Sequence, residues 1–171
     1  MEKKSLVFLS GRLRLLILIL IGLGVLVAAG ILRLALQPAG NNPVVINGTE
    51  VPPVPGLDST RIAQGEQLYR QYCASCHGAN LEGARDWKKR LADGSLPPPP
   101  HDSTGHTWHH PDEVLVSIIL EGGEKLYGGT MPAFGDRLTS EQAGMVVDFF
   151  KNRWGKDERE YQWWMTATNK Q

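Results

Sequence analysis

The chain is poor in cysteine, and this scarcity excludes several kinds of site. Only two cysteines occur among its 171 residues, Cys73 and Cys76. A structural zinc site needs four protein ligands, and there is no second cysteine pair to complete one. No cysteine lies near the N-terminus, which excludes a lipidated cysteine as a membrane anchor. The two thiols therefore have to be explained as a pair.

The chain also lacks basic clusters and strand-like alternation. Beyond residue 40 it has 13 basic and 17 acidic side chains. We therefore expect no nucleic-acid partner, and this mildly acidic part is compatible with a positively charged one. No alternation of apolar and polar residues is long enough to predict a useful strand, and no internal repeat is present. These absences favour an all-α domain.

One long apolar run stands near the N-terminus. Residues 15–32 contain no polar or charged side chain, and as a helix they would span roughly 27 Å, close to the hydrocarbon thickness of a bilayer. Basic residues precede the run, which predicts a cytoplasmic N-terminus over residues 1–14. A cleaved signal peptide is the alternative, although its apolar core is usually about 7–15 residues. We expect a single-pass anchor over residues 15–36 in the inner or cell membrane, with the remaining chain on the periplasmic, extracytoplasmic side.

The rest of the chain divides by composition. Residues 37–58 are rich in Pro, Gly and Asn and predict a tether. A folded domain is expected over residues 59–155, followed by an aromatic C-terminal extension over residues 156–171. Residues 78–110 are dominated by loop residues, and such a long loop in a compact domain needs a surface to pack on. A large apolar cofactor would supply that surface.

Three short helices are predicted in the domain. The first begins near Ser59 and ends at the cysteine pair. The second has Pro111 at its first turn and is stopped by glycines. The third starts with a capping-box pattern of Thr139 and Gln142 and is expected to end at Gly155.

The pentapeptide "CASCH" carries the chemistry. A redox-active disulfide is one interpretation of Cys73 and Cys76, but such pairs usually lie at the N-terminus of a helix in a βαβ unit. Here the pair follows a predicted helix. In the pattern C-x-x-C-H each thiol adds to one vinyl group of haem, and the histidine, His77, becomes the proximal ligand of the iron. We predict one covalently attached haem c.

The sixth iron position has several candidates downstream. They are four histidines and one methionine: His101, His106, His109, His110 and Met131. Met131 lies in a glycine-flanked turn before a proline, a poor place for core packing, and a thioether suits iron in both oxidation states. We predict Met131 as the distal ligand. His106, Trp108 and His109 are candidates for contacts with the haem propionates.

Three segments resemble the class I c-type cytochromes over about residues 60–155. They are "GEQLYRQYCASCHG", "MPAFGDRLT" and "VVDFFKNRW". The segment "HDSTGHTWHH" resembles the bacterial membrane-bound or periplasmic monohaem cytochromes within that class. The resemblance implies the cytochrome c fold, an all-α domain with three main helices and long loops around one covalent haem, here behind an N-terminal transmembrane helix.

The resemblance also implies roles for particular residues. His77 and Met131 would be the axial ligands, and a carbonyl of the proline run 97–100 would bind the proximal imidazole. The first and last helices would cross, with Gly65 and Tyr69 on one side and Phe149 or Phe150 on the other.

These expectations lead to a function. We expect one-electron transfer in a respiratory or photosynthetic chain, as a tethered carrier or as the haem subunit of a complex such as alternative complex III or a terminal oxidase. The partners would be donor and acceptor proteins and the bilayer, and the chain would not be an enzyme by itself. The alternative is a haem enzyme or gas sensor with an open sixth position.

The aromatic extension, with Tyr161, Trp163 and Trp164, either packs back on the domain or docks on a partner.

Overall fold

The computed structural model describes residues 11–35, 43–124 and 129–169. The chain divides into two compact units, residues 1–41 and residues 42–171. The first unit contains helix α1, Gly11–Ala35, which includes the apolar run of the sequence. None of the helices in the described ranges is long and apolar enough to cross a membrane.

The second unit opens with a short hairpin. Strands β1, Val44–Ile46, and β2, Thr49–Val51, pair antiparallel. Asn47 and Gly48 connect them with φ angles of 50° and 74°, as the commonest two-residue hairpin turn requires. The sequence predicted a tether without strands here. Strands of three residues are too short for their alternation to be visible in sequence.

Helices make up most of the remaining regular structure. In chain order they are α2, Ser59–Tyr72; α3, Ala74–His77; a 3-10 turn, Thr107–His109; α4, Asp112–Glu121; α5, Ser140–Lys151; and α6, Lys156–Thr168. The three predicted helices correspond to α2, α4 and α5, and the capping box at the start of α5 is present. The predicted stop at Gly155 is wrong. The helix ends at Lys151, and Gly155 is the N-cap of α6.

Helices α2 and α5 cross at a glycine. A Cβ atom on Gly65 would collide with the backbone carbonyl of Met145 and lie 3.2 Å from Cβ of Phe149, so only glycine allows this approach. One turn later, Tyr69 is fully buried, with its ring centroid 5.3 Å from that of Phe149 and 5.8 Å from that of Phe150. The crossing expected from the resemblance is confirmed.

The C-terminal extension forms helix α6 and packs on its own domain. Trp163 donates its indole N–H to the carbonyl of Pro52 (2.7 Å), and Arg159 donates to that of Pro55 (2.8 Å). Gln162 of the same helix is buried. The end of the segment predicted to be a tether is therefore bonded to the folded unit. Of the two alternatives for the extension, packing back on the domain is the one observed.

Candidate functional site

The cysteine pair lies at the junction of α2 and α3, with Cys73 between the two helices and Cys76 in α3. Cys73 ends α2 and precedes α3, and its carbonyl accepts hydrogen bonds from the N–H groups of Cys76 (3.1 Å) and His77 (3.0 Å). Both thiols are free. Cys73 is buried and Cys76 is exposed. Burial, together with the nearby Cys76, raises the pKa of Cys73 to about 11, so its thiol is protonated at neutral pH.

The imidazole of His77 is held in one tautomer. It is buried, and its Nδ1 lies 3.0 Å from the carbonyl oxygen of Pro99. A carbonyl only accepts, so Nδ1 carries the proton and Nε2 keeps a lone pair. Burial lowers the pKa of His77, opposed by the bond to Pro99. A neutral ring with its second nitrogen hydrogen-bonded is the usual state of a histidine that ligates a metal.

The proline carbonyl reaches His77 because the intervening chain loops out and returns. Ala84 donates its N–H to the carbonyl of Pro98 (2.8 Å), and His101 donates to that of Leu81 (2.8 Å). Gly83, with φ +60°, runs so close to the proline run that a Cβ atom would collide with its backbone. The bond between the proline run and the imidazole is confirmed. Pro99 lies 22 residues beyond His77 because the chain makes an excursion over residues 84–96.

His77 and Met131 line one cleft. The cleft has an empty volume of about 870 Å³, counting the part that opens to solvent, and a smaller neighbouring cavity adds Cys73 and Phe150 to its walls. Apolar atoms dominate the lining, as in most cofactor sites. The residues that line the larger cleft are His77, Leu96, Pro97, Pro98, Pro99, His101, His106, Thr107, His110, Leu115, Ile118, Gly123, Gly129, Thr130 and Met131.

Met131 is placed by backbone bonds to the end of α4. Its carbonyl accepts from the N–H of Gly123 (3.0 Å), and three residues later Phe134 donates to the carbonyl of Ile119 (3.1 Å). Gly122 ends α4 with φ +84°. The chain therefore folds back along the helix terminus, and Met131 lies beside the cleft.

The histidine cluster separates into two groups. His101, His106 and His110 line the cleft. Trp108 and His109 lie away from that lining and pack against Tyr161 of α6, with ring centroids 5.6 and 5.5 Å from it. Of the three predicted propionate contacts, only His106 is at the cleft. Its Nδ1 atom is buried without a hydrogen-bond partner, which fits a propionate oxygen.

Among the described residues, no group of three or more His, Cys, Asp or Glu side chains is placed to hold a metal ion.

Sequence reasoning missed the position of His101. Its ring stacks between those of His77 (centroids 4.2 Å apart) and Phe150 (4.3 Å). Its Nδ1 lies 2.8 Å from Oγ1 of Thr107, whose hydroxyl donates to the carbonyl of Pro100 (3.3 Å). Burial, then His77 and His106, hold the pKa of His101 well below its ordinary value. The one available signal is that it directly follows the proline run.

These residues together fit a covalently attached haem. The two free thiols precede the neutral, oriented imidazole of His77, and Met131, which has a soft thioether, lines the same cleft. The ring nitrogen Nδ1 of His106 has no hydrogen-bond partner and could bind an acidic group. Cys76, by contrast, is exposed and does not line the cleft itself. The individual bonds from these residues to a haem stay a prediction.

Comparison with known proteins agrees with this chemistry. The family model described as cytochrome c oxidase, cbb3-type, subunit III matches residues 60–150. Among solved structures, the c-type cytochrome NirC is similar, with 29% sequence identity over 54% of this chain and 91% of its own and a TM-score of 0.39. No curated protein matches the chain. Because the matched residues make up more than half of the sequence, the chain belongs to the family of the cbb3-type cytochrome c oxidase subunit III, and it is a c-type cytochrome that carries covalently bound haem c.

Proposed function

We propose that the chain is a membrane-anchored monohaem cytochrome c that transfers single electrons with His77 and Met131 as axial ligands of the iron. In this proposal Cys73 and Cys76 form the thioether bonds to the haem. The protein would work in a respiratory or photosynthetic chain, either as a tethered carrier or as the haem subunit of a larger complex. The haem domain is itself an electron carrier and not an enzyme.

One observation carries the proposal: His77 and Met131 line the same cleft, and the turn that bears both cysteines immediately precedes His77. A bound haem c supplies an iron that alternates between two oxidation states. The chain supplies the rest. The carbonyl of Pro99 fixes the imidazole, the bonds from Gly123 and Phe134 hold the methionine turn, and the apolar lining excludes water from the iron.

Replacement of Met131 tests the sixth position. In Met131→Ala the weak sulfur-to-iron absorption near the red edge of the ferric spectrum should disappear, and the midpoint potential should fall because a thioether raises it. The reduced variant should also bind carbon monoxide, which the native protein should not. Met145→Ala is a matched control, since Met145 lies on α5 and not on the cleft. Carbon monoxide binding by the native reduced protein, with no sulfur-to-iron band, would favour a gas sensor or haem enzyme.

The membrane anchor is part of the proposal. It is supported by the apolar run of residues 15–32 and by the basic residues before it. Most of the large apolar side chains described in α1 are exposed, for example Leu18 (65%) and Leu26 (71%). The full chain should stay with membranes after alkaline carbonate washing, and a chain starting at residue 37 behind a cleavable signal should be released. Release of the full chain would contradict the anchor.

The choice between carrier and subunit can be made with the intact membrane. Solubilised in mild detergent and separated on a native gel, a free carrier should migrate alone when stained for haem. A fixed subunit should migrate with a larger complex, whose other proteins would identify the donor or acceptor.

A further inference from the structure

The excursion over residues 84–96 forms a compact, exposed projection beside the cleft. It closes on itself through a hydrogen bond from the N–H of Leu91 to the carbonyl of Ser95 (2.8 Å) and one from Arg90 to the carbonyl of Gly94 (2.6 Å). The side chain of Ser95 is bonded to Asp93 (2.6 Å). These local bonds give the projection a defined shape.

Two contacts fix the projection to the cleft wall. Ala84 bonds to Pro98, a lining residue. The indole of Trp87 stacks on the imidazole of His106, another lining residue, with centroids 5.0 Å apart and planes 7° from parallel. Leu96 completes the junction, because it lines the cleft and is also 39% exposed. The projection therefore belongs to the rim of the cleft.

The charge of the projection is opposite to that of its domain. It carries four basic side chains, Arg85, Lys88, Lys89 and Arg90, against two acidic ones, Asp86 and Asp93. Both carboxylates are engaged locally, Asp86 with Lys89 (3.0 Å) and Asp93 with Ser95. Over the rest of the domain acidic side chains outnumber basic ones. Basic charge is thus concentrated at the rim.

An apolar spot accompanies these charges. Apart from those of helix α1, three described large apolar side chains are exposed: Val45, Leu91 and Leu96. Leu91 (53% exposed) and Leu96 belong to the projection. Exposed apolar side chains surrounded by charge are typical of a docking surface, where the apolar part gives contact and the charges guide approach.

We propose that the projection, with Lys88, Lys89, Arg90, Leu91 and Leu96, is the docking surface for the acidic face of a redox partner protein. This inference rests on the proposed electron-transfer function. The overall composition is compatible with a positively charged partner, whereas the projection favours an acidic one. Steering depends on the local field where the partners meet, and at the rim that field is positive although the domain is acidic.

The test measures electron transfer from the full-length reduced protein, in neutral-lipid discs, to two oxidants followed by stopped flow. One oxidant is hexacyanoferrate(III), and the other is an oxidised blue copper protein with an acidic surface. In each reaction the ferrous haem loses one electron, and the oxidant becomes hexacyanoferrate(II) or Cu(I). With the blue copper protein the native rate should fall as salt rises, because salt screens an attraction.

The decisive variant reverses three charges at the rim: Lys88→Glu, Lys89→Glu and Arg90→Glu. At low salt its rate with the blue copper protein should fall about tenfold or more, and the salt dependence should flatten or change sign. The matched control reverses three exposed charges that do not line the cleft: Arg70→Glu, Arg153→Glu and Lys156→Glu. It has the same net charge as the first variant, and its rate with the blue copper protein should fall much less.

A separate variant tests the apolar part of the projection. Leu91→Ser should slow electron transfer to the blue copper protein and leave the rate with hexacyanoferrate(III) unchanged.

The outcomes separate the two proposals. If the native protein reduces neither oxidant, the electron-transfer function fails. If it reduces both, and the two triple variants lose rate equally, the projection is not the docking surface and only net charge acts. A third outcome, in which phosphatidylserine discs slow the native protein but not the rim variant, would mean that the projection binds anionic lipid and would overturn the protein-docking proposal.

Discussion

The two walls of the cleft differ in how they hold their candidate ligand. His77 is the last residue of helix α3, with its Nδ1 bonded to the carbonyl of Pro99 and its ring stacked on that of His101. Met131 lies on an extended turn held by main-chain bonds to the end of α4. The side of the cleft that bears His77, the proximal wall, is thus fixed by hydrogen bonding and stacking of that side chain. The side that bears Met131, the distal wall, is held by main-chain bonds and by partial packing of Met131 against the core.

This difference has a physical consequence. Behind the proximal wall stand the α2–α5 crossing and its buried aromatic rings, so a disturbance there affects the whole fold. The distal wall is held by a few backbone hydrogen bonds, each with a net value of about 1 kcal/mol, and by the partly buried side chain of Met131. We therefore expect damage to the proximal wall to appear as lost stability, and damage to the distal wall to appear first as changed ligation.

The largest effect should follow Gly65→Ala, which tests the support of the proximal wall. The new Cβ atom would meet the carbonyl of Met145, and separating the two helices should cost about 3 kcal/mol of unfolding free energy. Chemical denaturation of the haem-loaded protein measures this value. Gly144→Ala on α5 is the control, because its nearest neighbour is a flexible end of Arg61 at 3.5 Å. That variant should be neutral or more stable by up to about 1 kcal/mol. Equal behaviour of the two variants would contradict the close crossing.

An intermediate effect should follow Gly122→Ala, which tests the distal wall. Gly122 has φ +84° and ψ 170°, a conformation that costs a non-glycine residue about 1–3 kcal/mol. The new Cβ would also lie 2.8 Å from the carbonyl of Met131. Because release of the methionine turn relieves this strain, added imidazole should bind the ferric protein more tightly, while most of the stability remains.

A suitable control for the distal wall is Gly129→Ala. Its Cβ would meet nothing closer than 3.6 Å, and its φ is not in the positive range. It should leave imidazole binding unchanged. If Gly122→Ala also binds imidazole like the native protein, then the turn is held by more than its backbone bonds, and the contrast between the walls is smaller than proposed.

The sequence predicted the features that depend on neighbouring residues. Each of these features is specified by residues a few positions apart in the sequence. They are the haem-attachment motif, the capping box of Thr139 and Gln142, and the helix that begins after Pro111. The family resemblance added the pairing of Gly65 with the last helix. These features concern local hydrogen bonds and one well-defined helix crossing, which a short pattern can specify.

The features that escaped prediction depend on contacts distant in sequence. The hairpin at residues 44–51 and helix α6 hold each other, through Trp163 and Pro52 for example, and neither pattern is strong alone. The return of the proline run to His77 depends on the size and shape of the 84–96 excursion. Apart from its place directly after the proline run, the sequence does not separate His101 from its neighbouring histidines, because its burial between His77 and Phe150 depends on the fold.

The smallest effect should follow replacement of His101, which asks whether the proximal wall needs the stack or only the bond to Pro99. In His101→Leu both the stack and the hydrogen bond to Thr107 are lost, at a cost of about 1–2 kcal/mol. In His101→Phe the stack with His77 and Phe150 is kept and only the hydrogen bond is lost. If the stack orients the proximal imidazole, the leucine variant should show broadened low-spin ferric electron paramagnetic resonance signals and a shifted midpoint potential, and the phenylalanine variant should restore both. If the two variants give the same signals and potential as the native protein, the bond to Pro99 alone orients the ring, and the two walls then differ by one hydrogen bond rather than by a packed set of side chains.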